Sequence, residues 1–115
     1  MRLLGIKGED LAAKFLRKKG YRIVDRNFKT PIGEIDIVAE DGETLVFVEV
    51  KTRCGDAFGH PFEAVDARKR VKLRKVALYY LKNRRRNDAP SRFDVLSIRA
   101  KSGKEEIEHI IDAFE

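Results

Sequence analysis

The sequence contains no Trp and no Gln, and only one Met, one Cys, two His and three Pro in 115 residues. A lone thiol, Cys54, excludes a disulfide framework, and one Cys with two His, His60 and His109, is too small a set for a zinc finger. A Cys–His nucleophile pair has no supporting pattern. No apolar run approaches the roughly 18 residues that span a bilayer. The opening stretch, Met1 to Glu9, meets charge after a short apolar run and does not read as a signal peptide. The expectation is a cytoplasmic protein with no membrane partner. No internal repeat and no low-complexity linker interrupts the chain. The scarcity of Gln, Met and Cys beside abundant Lys, Arg and Glu leans toward a heat-adapted source.

What the chain has in quantity is charge. Charged residues make up 38 % and hydrophobic ones 43 %, enough for one modest core, and the length predicts a single domain over residues 1–115. The net charge of +6 points only weakly to a polyanion; its distribution says more. Between Arg68 and Arg86 stand ten positive residues and no acid, which leaves the remainder of the chain at −4. Lys69, Arg70, Lys72, Arg74, Lys75, Arg84, Arg85 and Arg86 are the candidate nucleic-acid contacts within this segment. At helical spacing such neighbours repel one another, and a phosphate backbone relieves the repulsion while releasing counterions. The plainer reading is a solvated helix face, with Arg84-Arg85-Arg86 a flexible tail. No base-reading motif is present, so DNA recognition through shape and backbone is expected.

Apolar periodicity predicts the elements. Leu4, Leu11, Ala12, Phe15 and Leu16 give a helix over Gly8 to Lys19, stopped at Gly20. Strands follow over Tyr21 to Phe28, Glu34 to Ala39 and Thr44 to Thr52, the last two joined at Asp41-Gly42. A long helix is expected from about Pro61 to about Asn83, then strands over Arg92 to Ile98 and Glu106 to Ala113. The order α-β-β-β-α-β-β predicts a mixed α/β sandwich. Lys69 falls within the apolar stripe of the second helix. It has two readings: it snorkels to water, or it points toward carboxylates or a phosphate.

The hairpin carries the chemistry. With Asp41 and Gly42 as the two loop residues, Glu34 faces Glu49, Asp36 faces Phe47 and Val38 faces Leu45. Alternation then sends Glu34, Asp36, Glu49 and Lys51 to one side, and Ile35, Ile37, Val46, Val48 and Val50 to the other. Carboxylates gathered on a covered sheet face are costly unless a divalent cation joins them. Oxygen donors without His or Cys favour Mg²⁺ or Mn²⁺. The plainer reading is a set of cross-strand ion pairs of Lys51 with Glu49 or Glu34. Glu9, near the start of the first helix, has the ordinary reading of a carboxylate favoured by the helix dipole. Asp94 reads as a structural ion pair, His60 as a loop residue and Cys54 as incidental.

Ile35-Asp36 followed by Val46-Phe47-Val48-Glu49-Val50-Lys51-Thr52-Arg53 resembles the Asp…Glu-x-Lys signature of the PD-(D/E)xK nuclease superfamily. The fuller pattern is similar to the YraN-like family of predicted endonucleases, related to archaeal Holliday-junction resolvases. It is carried by Gly8-Glu9-Asp10-Leu11-Ala12, Gly20-Tyr21, Arg26-Asn27, Gly33-Glu34-Ile35-Asp36, Phe58-Gly59 and Arg92-Phe93-Asp94. One departure is Ile35 where the superfamily loosely keeps Pro. The resemblance implies a restriction-endonuclease-like αβββαβ core with a mixed central sheet flanked by helices. It implies a Mg²⁺-dependent (or Mn²⁺-dependent) DNA endonuclease, acting on branched or structured DNA. Asp36 and Glu49 would be metal ligands, the Val50 backbone carbonyl a further ligand, Lys51 the catalytic lysine and Glu9 a helix carboxylate added to the site. A homodimer follows by analogy with the two-fold resolvases. The alternative is a non-catalytic nucleic-acid-binding accessory protein that keeps the nuclease fold.

Overall fold

The computed structural model describes residues 2–54, 65–101 and 103–115. Its elements run α1 (Arg2–Lys18), β1 (Arg22–Lys29), β2 (Glu34–Asp41), β3 (Thr44–Cys54), α2 (Ala67–Asn83), β4 (Ser91–Lys101) and β5 (Lys104–Phe114). This is the expected order. The five strands form one mixed sheet in the order β1-β2-β3-β4-β5. Neighbours are antiparallel except β3 and β4, which pair in parallel from Leu45↔Ser91 to Cys54↔Ala100. A parallel pair needs a crossover, and α2 lies within it.

The helices cover opposite faces. On one, Ala12, Ala13 and Leu16 of α1 pack with Tyr21, Ile37, Ala39, Val46, Val48, Leu96 and Ile98. On the other, Leu73, Val76, Ala77, Tyr80 and Leu81 of α2 pack with Ile35, Val38, Leu45, Phe47, Val95 and Phe114. Central strands therefore alternate two apolar sets rather than one apolar and one polar. Gly8 allows α1 its close approach, because a Cβ there would run into the Thr52 side chain. Leu11 and Phe15 are partly buried, and Lys14, Arg17 and Lys18 face water, as an amphipathic helix on one sheet face requires.

Four expectations change. First, α1 begins at Arg2 rather than Gly8. Second, α2 begins at Ala67: Asp66 is extended and its carboxylate accepts the Lys69 N–H at 2.9 Å, a cap that fixes the start of the helix. The expected start at Pro61, and His60 beside it, lie outside the described residues. Third, the hairpin pairs Asp41 with Thr44, leaving Gly42 and Glu43 as the loop. Gly42 has φ +61°, and a left-handed residue there matches the twist of the strands. The register thus moves by two residues. An even shift preserves every facing, so the grouping of Asp36 with Glu49 and Lys51 survives. Fourth, Ile35 joins the α2 cluster rather than the face of Ile37. The described β2–β3 ladder ends at Ile37↔Val48, and beyond it Asp36 takes the Val50 N–H with its side chain, so strict alternation stops there.

β1 carries a second irregularity. Its register shifts between Ile23 and Asp25, and Asn27 has φ +54°. Such a bulge re-aims the residues after it. Arg26 and Asn27 then reach the carboxylate of Glu9 on α1.

Candidate active site

The crossover positions the site. A chain leaving the end of β3 and entering α2 brings the first turns of α2 beside the last residues of β3. Glu49 and Lys51 lie on that part of β3, and Lys69 and Lys72 on that part of α2. Together with Gly33, Glu34, Asp36, Leu73 and Val76 they line a cavity of about 350 Å³. All four residues that the alternation assigned to one face, Glu34, Asp36, Glu49 and Lys51, border this cavity. Ile32 lines it as well, from the Thr30-Pro31-Ile32-Gly33 turn that immediately precedes Glu34. Thr30 organises that turn, accepting the N–H groups of Ile32 and Gly33 at 3.1 Å each.

Within the cavity the charges touch. Asp36 Oδ2 accepts the Val50 N–H at 2.8 Å, and the Glu49 carboxyl stands near enough to act on its ionisation. Glu49 is only 6 % exposed. Its Oε2 lies 3.4 Å from Lys51 Nζ and also forms an ion pair with Lys69 Nζ. Lys69 therefore points inward, and the snorkelling reading is set aside. The sequence signal was a cation in an otherwise apolar helix stripe.

Burial, and then the neighbouring Glu49 carboxylate, push the Asp36 carboxyl up to about 7; the Val50 N–H opposes this, and Glu9 adds a smaller rise. For Lys51, burial and then the adjoining Lys69 hold the ammonium below its ordinary value, against the attraction of Glu49. Burial acts against Lys69 too, but hydrogen bonding to Glu49 and the charges of Glu49 and Asp36 outweigh it and keep its ammonium above the usual value. Two carboxyls crowded together and two unequal amines are the pattern expected where proton transfer or ion binding occurs.

Glu9 stands at one remove. Its Oε1 is held by Asn27 Nδ2 at 2.9 Å and by Arg26 Nη2 at 3.3 Å, and it reaches Asp36 through its charge. Among the described residues, no group of three or more His, Cys, Asp or Glu side chains gathers as a metal cage.

The basic segment divides. Lys69 and Lys72 face the cavity. Arg70 donates to the Val65 carbonyl at 2.9 Å and lies over the Phe114 ring. Arg74 bonds the Glu115 carbonyl, and Lys75 is exposed. The expected tail is tied down. Arg84 caps α2 and pairs with Asp25 at 3.1 Å, Arg85 adopts φ +54°, and Arg86 pairs with Glu40 at 3.2 Å. The sequence pattern could not find Asp25 and Glu40 as partners, because they come from β1 and β2, far away in the chain.

Asp94 is the structural acid the sequence suggested. It is fully buried and accepts from Arg92 Nε at 3.0 Å and the Asp112 N–H at 2.9 Å, with His109 Nε2 2.7 Å away. Among the described residues, no helix is long and apolar enough to cross a membrane.

Comparison with known proteins places the chain. The profile of an uncharacterised protein family, UPF0102, matches residues 8–98. A UPF0102 protein of Syntrophomonas wolfei is 53 % identical over 113 residues, covering 98 % of both chains. One from Thermodesulfovibrio yellowstonii is 49 % identical over 96 % of this chain and 95 % of its own. One from Geobacter sulfurreducens is 50 % identical over 99 % and 90 %. Every residue of the cavity lies within the matched span. The chain belongs to UPF0102, the YraN-like family that its motifs resemble.

Proposed function

We propose that this protein is a metal-dependent DNA endonuclease that hydrolyses phosphodiester bonds, with branched or structured DNA as its substrate. The observation that carries the reading is the meeting of Asp36, Glu49 and Lys51 in one cavity whose opposite wall is the basic helix α2. A divalent cation fits the donors present: an all-oxygen set, with the Asp36 and Glu49 carboxyls on one cavity wall. Asp36, Glu49 and the Val50 carbonyl would hold Mg²⁺ or Mn²⁺, and Glu9 would stay in the outer circle that Arg26 and Asn27 define. When bound, the ion would supply Lewis acidity toward a phosphate oxygen and lower the pKa of a bound water.

The chain's own residues do the rest. The Val50 N–H orients the Asp36 carboxylate. Lys51, whose ammonium gives up its proton more readily than usual, suits a role beside the attacking water or the developing charge on the phosphate. Lys72 at the cavity and Lys75 on the exposed side of α2 offer charge to the backbone on either side.

One observation favours the second reading, a nucleic-acid-binding accessory protein without catalysis: among the described residues, the acids that border the cavity do not gather as a group of three around one point. A cleavage assay on supercoiled, linear and four-way-junction DNA with Mg²⁺ or Mn²⁺ separates the two. Cutting by the wild type that Asp36→Ala and Lys51→Ala abolish supports the nuclease. Salt-sensitive binding with no cutting of any substrate supports the accessory protein.

A further inference from the structure

Glu49 forms ion pairs with two lysines of the cavity, Lys51 of β3 and Lys69 of α2. The position of Lys69 is costly on two counts. Lys69 lies in the first turn of α2, where Arg68 and Arg70 flank it and the acid at the helix start, the Asp66 cap, binds the Lys69 N–H rather than its ammonium. A helix N-terminus carries a partial positive charge, so cations there are unfavourable. Lys69 also borders an apolar stripe of Leu73 and Val76. Neither helix propensity nor packing calls for an ammonium here. What it meets is a buried carboxylate that already has one lysine.

A buried carboxylate pair without a cation is strongly unfavourable, and a mobile ammonium on a long stem is the obvious internal substitute. Resting on the nuclease reading, we propose that Lys69 is the resident counter-ion of the metal-free site. Its ammonium occupies Glu49 until a divalent cation displaces it, and then transfers to a substrate phosphate at the α2 N-terminus. Glu49 cannot bond the ion and Lys69 equally well at once, so metal and lysine compete for it. A phosphate that draws Lys69 away removes the competitor, and metal and DNA then bind with positive coupling. The arrangement disfavours loading with metal when no substrate is present. Lys51 stays on the β3 strand throughout and keeps its separate role.

The test is Mn²⁺ binding followed by electron paramagnetic resonance, with and without a short DNA duplex. Lys69→Met removes the competitor and is expected to bind Mn²⁺ alone about tenfold more tightly than wild type, in the usual range for such coupling. DNA should tighten Mn²⁺ binding in wild type and leave it unchanged in Lys69→Met. Lys69→Arg, which retains the cation, should restore the wild-type pattern. Should the methionine variant fail to fold, Lys69→Gln takes its place with the same expectation. Equal or weaker Mn²⁺ binding by the neutral variant overturns the inference while leaving the nuclease reading intact. Mn²⁺ binding in wild type that Asp36→Ala does not change removes the metal site itself, and the inference with it.

Discussion

Two acids on one sheet, the fully buried Asp94 of β4 and the half-buried Asp36 of β2, are treated in opposite ways. Asp94 on β4 receives Arg92, His109 and the Asp112 N–H, and Arg92 goes on to bond Tyr21 at 2.7 Å and Asp41 at 3.1 Å. His109 is fixed in turn by Lys19 Nζ, 2.8 Å from its Nδ1, so an ammonium donor there leaves Nε2–H for Asp94. Burial opposes ionisation of Asp94, but the bonds from His109, Arg92 and Asp112 outweigh it and hold the carboxyl below the usual carboxylate range. Asp36 on β2 receives one N–H and faces another carboxyl, and it is pushed up to about 7. The first is a satisfied clamp between β4, β5 and the residues that follow α1. The second is a carboxyl that has no cation of its own, because the neighbouring Lys51 and Lys69 ammonium groups pair with Glu49. A carboxylate saturated with donors has no room for a ligand, whereas one crowded by its own kind has a reason to bind one.

Substitutions can break this contrast, starting with the largest effect. Lys51→Ala should reduce DNA cleavage by about a thousandfold or more while leaving the fold intact, the scale on which proton transfer and charge stabilisation act together. Single-turnover cleavage beside a thermal melt checks both halves of that statement. Asp94→Ala should do the reverse. It strands Arg92 and His109 and should cost about 3–5 kcal/mol of stability, read by urea unfolding.

The next effect is a difference in pH dependence. The Asp36 carboxyl is raised from 3.8 to about 7, so its ionisation in the fold is penalised. That penalty is absent at acid pH and grows as pH rises through this window, so metal-free stability should fall across it. Asp36→Asn should flatten the fall and raise the melting temperature in EDTA at pH 8 by roughly 5 °C. Asp94 works with the opposite sign. Its contribution is complete above the ordinary carboxylate range and is lost on acidification below it. Melts of both variants between pH 3 and pH 8 would reveal any error in this assignment, because the two acids act at opposite ends of the range.

The smallest effect belongs to the rim of the molecule. Arg84 is about half exposed in its pair with Asp25. Arg84→Ala should leave the melting temperature almost unchanged, and should weaken DNA binding only if the end of α2 touches the duplex. A binding isotherm in moderate salt distinguishes these.

Much of this contrast was legible before any coordinates. Val46, Val48 and Val50 alternating with Phe47, Glu49 and Lys51 fixes which side chains share a face, and Asp41-Gly42 announces the hairpin. The pairing itself was off by two residues. It cost nothing, because side chains repeat every two residues along a strand and an even slip leaves the facing unchanged. Lys69 was recognisable as an anomaly but not as a partner of Glu49, since periodicity describes a helix face and not what lies opposite it. The fates of Arg84 and Arg86 were hidden for the same reason. Charge counting places ten cations in one segment, yet Asp25 and Glu40, which neutralise two of them, are supplied by other strands.

By itself the sequence determined the local terms: helix and strand periods, the turn at Gly42, the facing of Asp36 with Glu49 and Lys51, and family membership through Gly33-Glu34-Ile35-Asp36 and the run to Arg53. These depend on neighbours in the chain, whose geometry is set by backbone sterics. Only the tertiary structure decided that Lys69 would cross to Glu49, that Glu9 would be drawn to Arg26 and Asn27, and that Asp94 would be saturated while Asp36 was not. Those outcomes depend on burial and on charges brought together from distant segments, and both exist only once the sheet and its two helices have closed on one another.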